Sequence, residues 1–268
     1  MPDPILHVET FGDPSADDAV LAVHGVTGFG ARFARLASRL PDRRWLCPDL
    51  RGHGRSPAPA PWRTEEHVAD QLAVLDAHEL ERADVVAHSF GGHVALHLLA
   101  TAPDRVGRVA LVDPASLLDP HRVHASALAY AREPGWATRD DALGEVSGWF
   151  PTEGSRPDLD LEVARNLAQD DAGRWRMRYS PVVIVAAYGE MCRALPPLPD
   201  DHDVLLLEAE EGRSSVTDAL RSALTDAFGG RLRREVVAGA GHVVFRTHLD
   251  ETAGAVGRLL GEVSPGGT

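Results

Sequence analysis

At 268 residues, with 44% hydrophobic and 25% charged side chains, the chain has the composition of a globular protein able to bury a sizeable core. Its net charge of −13, from 27 basic residues (all arginine) against 40 acidic ones, excludes a basic nucleic-acid surface and disfavours anionic membranes. Two cysteines, Cys47 and Cys192, are too few for a disulfide framework and are expected to be reduced thiols.

In chain order, residues 1–14 carry Asp3, Glu9 and Asp13 without an apolar run, so no secretory leader is expected. Residues 5–10 and 19–23 read as strands, 32–40 as a helix and 44–47 as a strand. Residues 64–79 read as an amphipathic helix whose first turn, after Thr64, carries Glu65 and Glu66. A buried strand at 83–87, a helix at 90–101 and a strand at 106–112 follow. This alternation predicts an α/β fold with a mostly parallel, doubly wound sheet. From 115 to 199 the segments are helix-like and no strand is convincing. Their longest apolar run, residues 181–188, is far too short to span a bilayer. The alternation returns with a strand at 203–208, a helix at 216–228, a strand at 232–237 and a last helix at 251–261; residues 263–268 read as a frayed tail. Residues 1–114 and 200–268 are therefore expected to form the core, with 115–199 as an inserted helical cap. The expected location is cytoplasmic, with no stable membrane insertion.

Val85-Val86-Ala87-His88-Ser89-Phe90-Gly91-Gly92 is the most informative stretch. An apolar strand turns there into a helix with one serine between them, flanked two residues away by Ala87 and Gly91. The pattern matches a nucleophile elbow, G-x-S-x-G, except for alanine at its first glycine. Small neighbours let the turn tighten and push the hydroxyl out at the top of the sheet. A Ser-Gly turn without chemical role is the blander alternative.

Three further stretches fall where an acyl-transfer enzyme needs them. Strand 19–23 runs into His24-Gly25-Val26, whose loop offers an N–H toward a developing oxyanion; Val26 and Phe90 are the expected donors. His24 itself reads as a histidine that shapes the loop. After the last strand, Gly239-Ala240-Gly241-His242 lifts an imidazole above the sheet edge, making His242 the expected general base. His88 and His93 flank the serine but read as wall or packing residues. The third stretch is Asp49-Leu50-Arg51-Gly52-His53-Gly54-Arg55-Ser56.

Taken in order, His24-Gly25, the run from Asp49 to Ser56, the Ser89 elbow and Gly239 to His242 resemble the α/β-hydrolase superfamily across nearly the whole chain. Compact esterase/lipase-type members with a helical cap inserted after the sixth strand are the nearest in character. The resemblance implies a structural role for the Asp49–Ser56 loop and a triad of serine, acid and histidine in that order. It implies no cofactor or metal. Dehalogenases and epoxide hydrolases of this fold use an aspartate where this chain has Ser89, which argues against both.

The acid departs from the usual pattern. After strand 203–208 the chain reads Glu208-Ala209-Glu210-Glu211-Gly212, which places glycine where the carboxylate is expected. Asp113, at the end of the strand following the elbow, is the first choice, because carboxylates there point into the ligand crevice. Glu211, or its neighbour Glu210, is the alternative. An N-capping role for Asp113 ahead of Pro114, and a solvated acidic loop for the two glutamates, are the competing readings.

The expected activity is hydrolysis of a small or medium carboxylic ester through an acyl-enzyme, with a small-molecule ester as partner and a homodimer possible. Thioester, lactone and carbon–carbon bond hydrolysis use the same triad, and a degenerate ligand-binding receptor is the alternative outside enzymology. In the cap, Leu117, Leu118, Leu128, Tyr130, Trp136, Trp149 and Phe150 line either an acyl pocket or the cap's own core. One arginine of residues 174–178 would suit a substrate carboxylate, although these arginines more simply offset Asp170 and Asp171.

Overall fold

The computed structural model describes residues 6–132, 135–150, 156–210, 212 and 214–261. Its strands are β1 (Val8–Gly12), β2 (Ala19–Val23), β3 (Arg44–Pro48), β4 (Ala83–His88), β5 (Val106–Val112), β6 (Leu167–Gln169), β7 (Trp175–Met177), β8 (Val204–Glu208) and β9 (Leu232–Val236). Seven of them form one sheet in the order β1-β3-β2-β4-β5-β8-β9, in which β1 pairs antiparallel and the rest parallel.

The expected doubly wound architecture is what forms. Strands β2 and β8 are buried on both faces, which follows from sequences such as Ala-Val-Leu-Ala-Val with no polar side. Alternate residues feed two cores. Leu21, Val23, Val85, Ala87, Val109 and Leu111 face helices α2 (Thr64–Ala77) and α3 (Phe90–Thr101). Val20, Ala22, Val86, Ala110 and Val112 face the opposite side, with Val256 of the C-terminal helix (Leu249–Leu260). From β2 the chain moves outward to β3, then returns across β2 to β4. The carboxyl ends of β2 and β4 thus form a topological switch point, where open α/β sheets bind ligands.

Several boundaries shift. The first strand begins at Val8 rather than residue 5, which lies outside the described residues, as do residues 263–268. The expected helix at 32–40 is a 3-10 turn, Gly30–Phe33, running into a single turn of α-helix at Ala34–Ala37. Counted among the described residues, the insertion follows the fifth strand, where the resemblance numbered it the sixth; one antiparallel strand precedes β2 here.

Among the described residues, four helices lie between β5 and β8, Pro120–Ala131, Arg139–Gly148, Arg156–Asn166 and Pro181–Glu190. The insertion is not purely helical: β6 and β7 pair as a short antiparallel hairpin. Asp170 builds its turn by accepting from Ala172 N–H at 3.0 Å and Arg174 N–H at 2.9 Å. Ala142, Val146, Phe150, Leu159, Leu167 and Met177 give this region an apolar core of its own. It docks on the loop after β3, where Ser180 N–H donates to the Gly52 carbonyl at 2.7 Å and Gly54 N–H donates to the Arg178 carbonyl at 2.6 Å.

Candidate active site

Strand β4 ends at His88 and α3 begins at Phe90, so Ser89 alone makes the turn. Its backbone sits at φ 55, ψ −122, a region that costs an L-residue about 1–3 kcal/mol. Hydrogen bonds on both sides hold it there. Ser89 N–H donates to the Val112 carbonyl at 3.3 Å, and its carbonyl accepts from Gly92 and Ala115 N–H, each at 2.9 Å. Side chains are excluded nearby: a Cβ at Gly91 would collide with the Val23 carbonyl, and one at Gly25 would lie 2.7 Å from Ser89 Cβ. Ala87, in place of the pattern's first glycine, is simply buried in the sheet core.

The last loop carries His242 to the serine. After β9, Val237 N–H donates to the Glu208 carbonyl at 2.9 Å, Gly239 turns at φ 77, and the Ala240 carbonyl accepts from Glu210 N–H at 3.1 Å. His242 Nε2 then lies 2.9 Å from Ser89 Oγ, and its Nδ1 lies 2.6 Å from Asp113 Oδ2. A carboxylate opposite Nδ1 requires the proton on that nitrogen, leaving Nε2 to accept from the serine hydroxyl.

Asp113 is fully buried, at φ 42, and meets four donors. Besides His242, its carboxylate accepts from Ala209 N–H at 2.9 Å, the Ser214 hydroxyl at 2.5 Å and Ser215 N–H at 2.9 Å. Burial works to raise its pKa, but the hydrogen bond and charge of His242, with Ser214 and Ser215, outweigh that and hold the carboxyl below its ordinary value. The loop after β8 thus supplies donors to the Asp113 carboxylate. Glu210 lies on that loop, and Glu211 lies outside the described residues.

Ser214 and Ser215 were missing from the sequence expectation. A pair of small hydroxyl residues just past Gly212 was the available signal, but it carries no meaning until Asp113 is known to lie beside it. Ser215 Oγ also lies 3.0 Å from His242 Nδ1. His88 was expected to be a wall residue and does more. Its Nε2–H donates to the His242 carbonyl at 3.0 Å, and the two rings lie 4.8 Å apart. Burial, followed by the neighbouring His242, pushes the His88 pKa well below its ordinary value, so it stays neutral.

The loop expected to face the oxyanion follows β2. Gly28 N–H closes on the Gly25 carbonyl at 2.9 Å, making a tight turn through Val26 and Thr27, whose φ is 61. Phe90, as the first residue of α3, has an N–H without an intrahelical acceptor. His24 bridges loops: Leu50 N–H donates to its Nε2 at 2.9 Å, and its Nδ1 lies 2.8 Å from the Gly25 carbonyl. Asp49 accepts from Gly30 N–H at 2.7 Å and Arg55 N–H at 2.8 Å, a structural use of the Asp49–Ser56 run.

Ser89, His242 and Val26 open on a cavity of about 660 Å³. The apolar residues of the inserted region divide between the two expected uses. Leu118, Tyr130 and Trp149 line the cavity, while Phe150 and Trp136 belong to the inserted region's own core. Among the described residues no helix is long and apolar enough to cross a membrane, and no cluster of three or more potential ligands could hold a metal ion.

Comparison with known proteins agrees with this architecture. A lipase, LipV of Mycobacterium tuberculosis, is 35% identical over 258 residues, covering 96% of this chain and 98% of its own. The 2-hydroxymuconate semialdehyde hydrolase of a Pseudomonas species is 28% identical, covering 93% and 89% of the two chains. Among solved structures, E-2-(acetamidomethylene)succinate hydrolase superposes with a TM-score of 0.82 at 22% identity, over 96% of this chain and 95% of that one; at that identity the likeness shows the fold alone. The family model described as the alpha/beta hydrolase fold matches residues 18–248. With that match running from β2 to β9 and taking in the elbow and the histidine loop, the chain belongs to the α/β-hydrolase fold family.

Proposed function

We propose that the protein is a serine hydrolase that cleaves a small or medium carboxylic ester through an acyl-enzyme. One observation carries the reading: the unbroken hydrogen-bond chain from buried Asp113 through His242 to Ser89 Oγ, opening on the cavity. Ser89 Oγ attacks the ester carbonyl while His242 Nε2 takes its proton. The tetrahedral oxyanion accepts from the N–H groups of Phe90 and Val26. Collapse expels the alcohol, which takes the proton from His242. Water, deprotonated by the same nitrogen, then attacks the acyl-enzyme and releases the acid. Asp113 stays ionised throughout, keeping the imidazole in the useful tautomer and stabilising its charged form.

The lipase likeness over nearly the whole chain supports an ester, and the cavity size suits a small or medium one. Carbon–carbon bond hydrolysis is the second reading, favoured by the likeness to the 2-hydroxymuconate semialdehyde hydrolase. The receptor alternative draws on the irregular acid region; the Asp113–His242 hydrogen bond supports the enzyme reading instead. The test is labelling by a fluorophosphonate probe alongside turnover of a series of nitrophenyl esters. Stoichiometric labelling that Ser89→Ala abolishes, with ester turnover lost in parallel, is expected. A well-folded wild type that neither labels nor turns over any ester would overturn the proposal.

A further inference from the structure

We infer that the substrate carries a carboxylate remote from the scissile bond and that Arg246 holds it; the inference rests on the hydrolase reading and names its substrate class. The charge of the cavity runs against that of the chain. Acids outnumber bases 40 to 27 overall, whereas the cavity is lined by Arg32, Arg132 and Arg246 against one acid, Glu145. Two of these four are already engaged. Arg32 is held by the buried Glu162 through contacts of 2.6 and 3.0 Å, and Glu145 accepts from Trp136 Nε1–H at 2.8 Å. Nearby Asp158 pairs with Arg35 at 2.5 Å.

Of the two arginines left over, Arg132 is exposed, and Arg246 sits in the half-buried part of the wall. Its guanidinium stacks 4.1 Å from the Phe150 ring centroid and makes one long contact, 3.4 Å, to the Trp149 carbonyl. Among the described residues no carboxylate lies within ion-pair distance of it. Burial, with Arg32 beside it, lowers its pKa to about 10 against the opposing pull of the Glu162 and Asp158 carboxylates, which still leaves it cationic at neutral pH. A guanidinium has five N–H donors in a planar fork, and one of Arg246's meets a protein acceptor, which leaves the rest facing the cavity. A carboxylate accepting two parallel hydrogen bonds from that fork would pair a partly desolvated charge. Stacking on a ring holds the fork in one plane, as bidentate recognition requires.

Position adds the specificity. Arg246 follows His242 by four residues, within the short helix Val244–Thr247, and both side chains line the same cavity. One backbone segment therefore sets the proton shuttle and the anion site at a fixed separation. The arginines at 174–178 do not line the cavity among the described residues, and Arg176 is bound to Asp170 at 2.5 Å. That pairing fits the simpler reading of the segment, and the carboxylate role weighed for it falls to Arg246.

The test compares nitrophenyl monoesters of succinate, glutarate and adipate with neutral nitrophenyl esters of matched length. Wild type is expected to favour one anionic chain length at least tenfold in kcat/KM. Arg246→Gln is expected to bring that ratio to within about twofold, mainly through the KM of the anionic ester, and Arg246→Lys to keep part of it. An unchanged ratio in folded Arg246→Gln, or no charge preference in wild type, overturns the inference. Calorimetry provides a readout without turnover: the free dicarboxylate of the preferred length should bind Ser89→Ala and fail to bind Ser89→Ala/Arg246→Gln. Dicarboxylate binding without any ester cleavage would sink the ester reading and keep the anion site. Cleavage of neutral esters without charge preference would do the reverse.

Discussion

Asp113 and His242 lie 129 positions apart in the chain and 2.6 Å apart in space. Between them the chain completes the inserted region and the last two strands of the sheet. The carboxylate is set by β5 and the imidazole by the loop after β9, so their meeting depends on β8 lying between those strands. Ser214 and Ser215, from the loop after β8, complete the shell around the acid.

Asp113→Asn should lower kcat on a nitrophenyl ester by about 10⁴-fold, because an amide opposite Nδ1 favours the wrong imidazole tautomer. Glu210→Gln and Glu211→Gln should stay within threefold of wild type. Steady-state kinetics on the three variants side by side decides the acid, and near-wild-type turnover in Asp113→Asn would reject the assignment.

Ser214→Ala removes a 2.5 Å hydroxyl donor from the Asp113 carboxylate. Hydrogen bonds to charged groups are worth roughly 1.5–3 kcal/mol, so kcat should fall by about tenfold or more with KM little changed. A proportionate rise in KM with constant kcat would mean that Ser214 serves binding instead.

Two glycines near the nucleophile should fail in different ways. Alanine at Gly25 presses on Ser89 Cβ at 2.7 Å and on Ser89 Oγ at 3.1 Å, so Gly25→Ala should lose at least 10²-fold in kcat while melting cooperatively. Alanine at Gly91 meets the backbone carbonyl of Val23, which cannot swing away as a side chain does. Gly91→Ala should therefore destabilise the fold by several kcal/mol, as seen in its melting temperature or soluble yield.

Stability should fall as the solution is acidified below about pH 6.5. Burial lowers the pKa of His53 to about 4 and of His67 and His93 to about 3, and lowers His24 and His88 as well. Each depressed group stabilises the fold above its unfolded pKa and loses that contribution as pH falls toward its folded value, because the unfolded chain binds the proton first. The slope is on the order of 1 kcal/mol per pH unit per histidine. Neither ring nitrogen of His67 has a hydrogen-bond partner among the described residues, and the ring packs 5.1 Å from Phe90. His67→Phe should gain stability relative to wild type between pH 7.5 and pH 5 in urea titrations; an equal difference at both pH values would reject this account.

What sequence alone determined about this protein is its local geometry. The strand–serine–helix turn, the glycines on either side of it and the alternating apolar strands act over a few residues, through backbone sterics and period-2 burial, and each stands in the fold where the chain order implied. The hairpin of β6 and β7 shows the limit of such reading. Arg174-Trp175-Arg176-Met177 alternates charge with bulk, but strands of three residues become recognisable only when paired.

Tertiary structure decided the rest. A carboxylate becomes the partner of an imidazole when strand order brings two loop ends together, and no local pattern distinguishes Asp113 from an N-capping aspartate. The same holds for Ser214, Ser215 and His88, ordinary residues whose roles come from a buried charge or a carbonyl beside them. It holds most clearly for Arg246, one of 27 arginines, whose place in the cavity is defined by where the other charges are already paired.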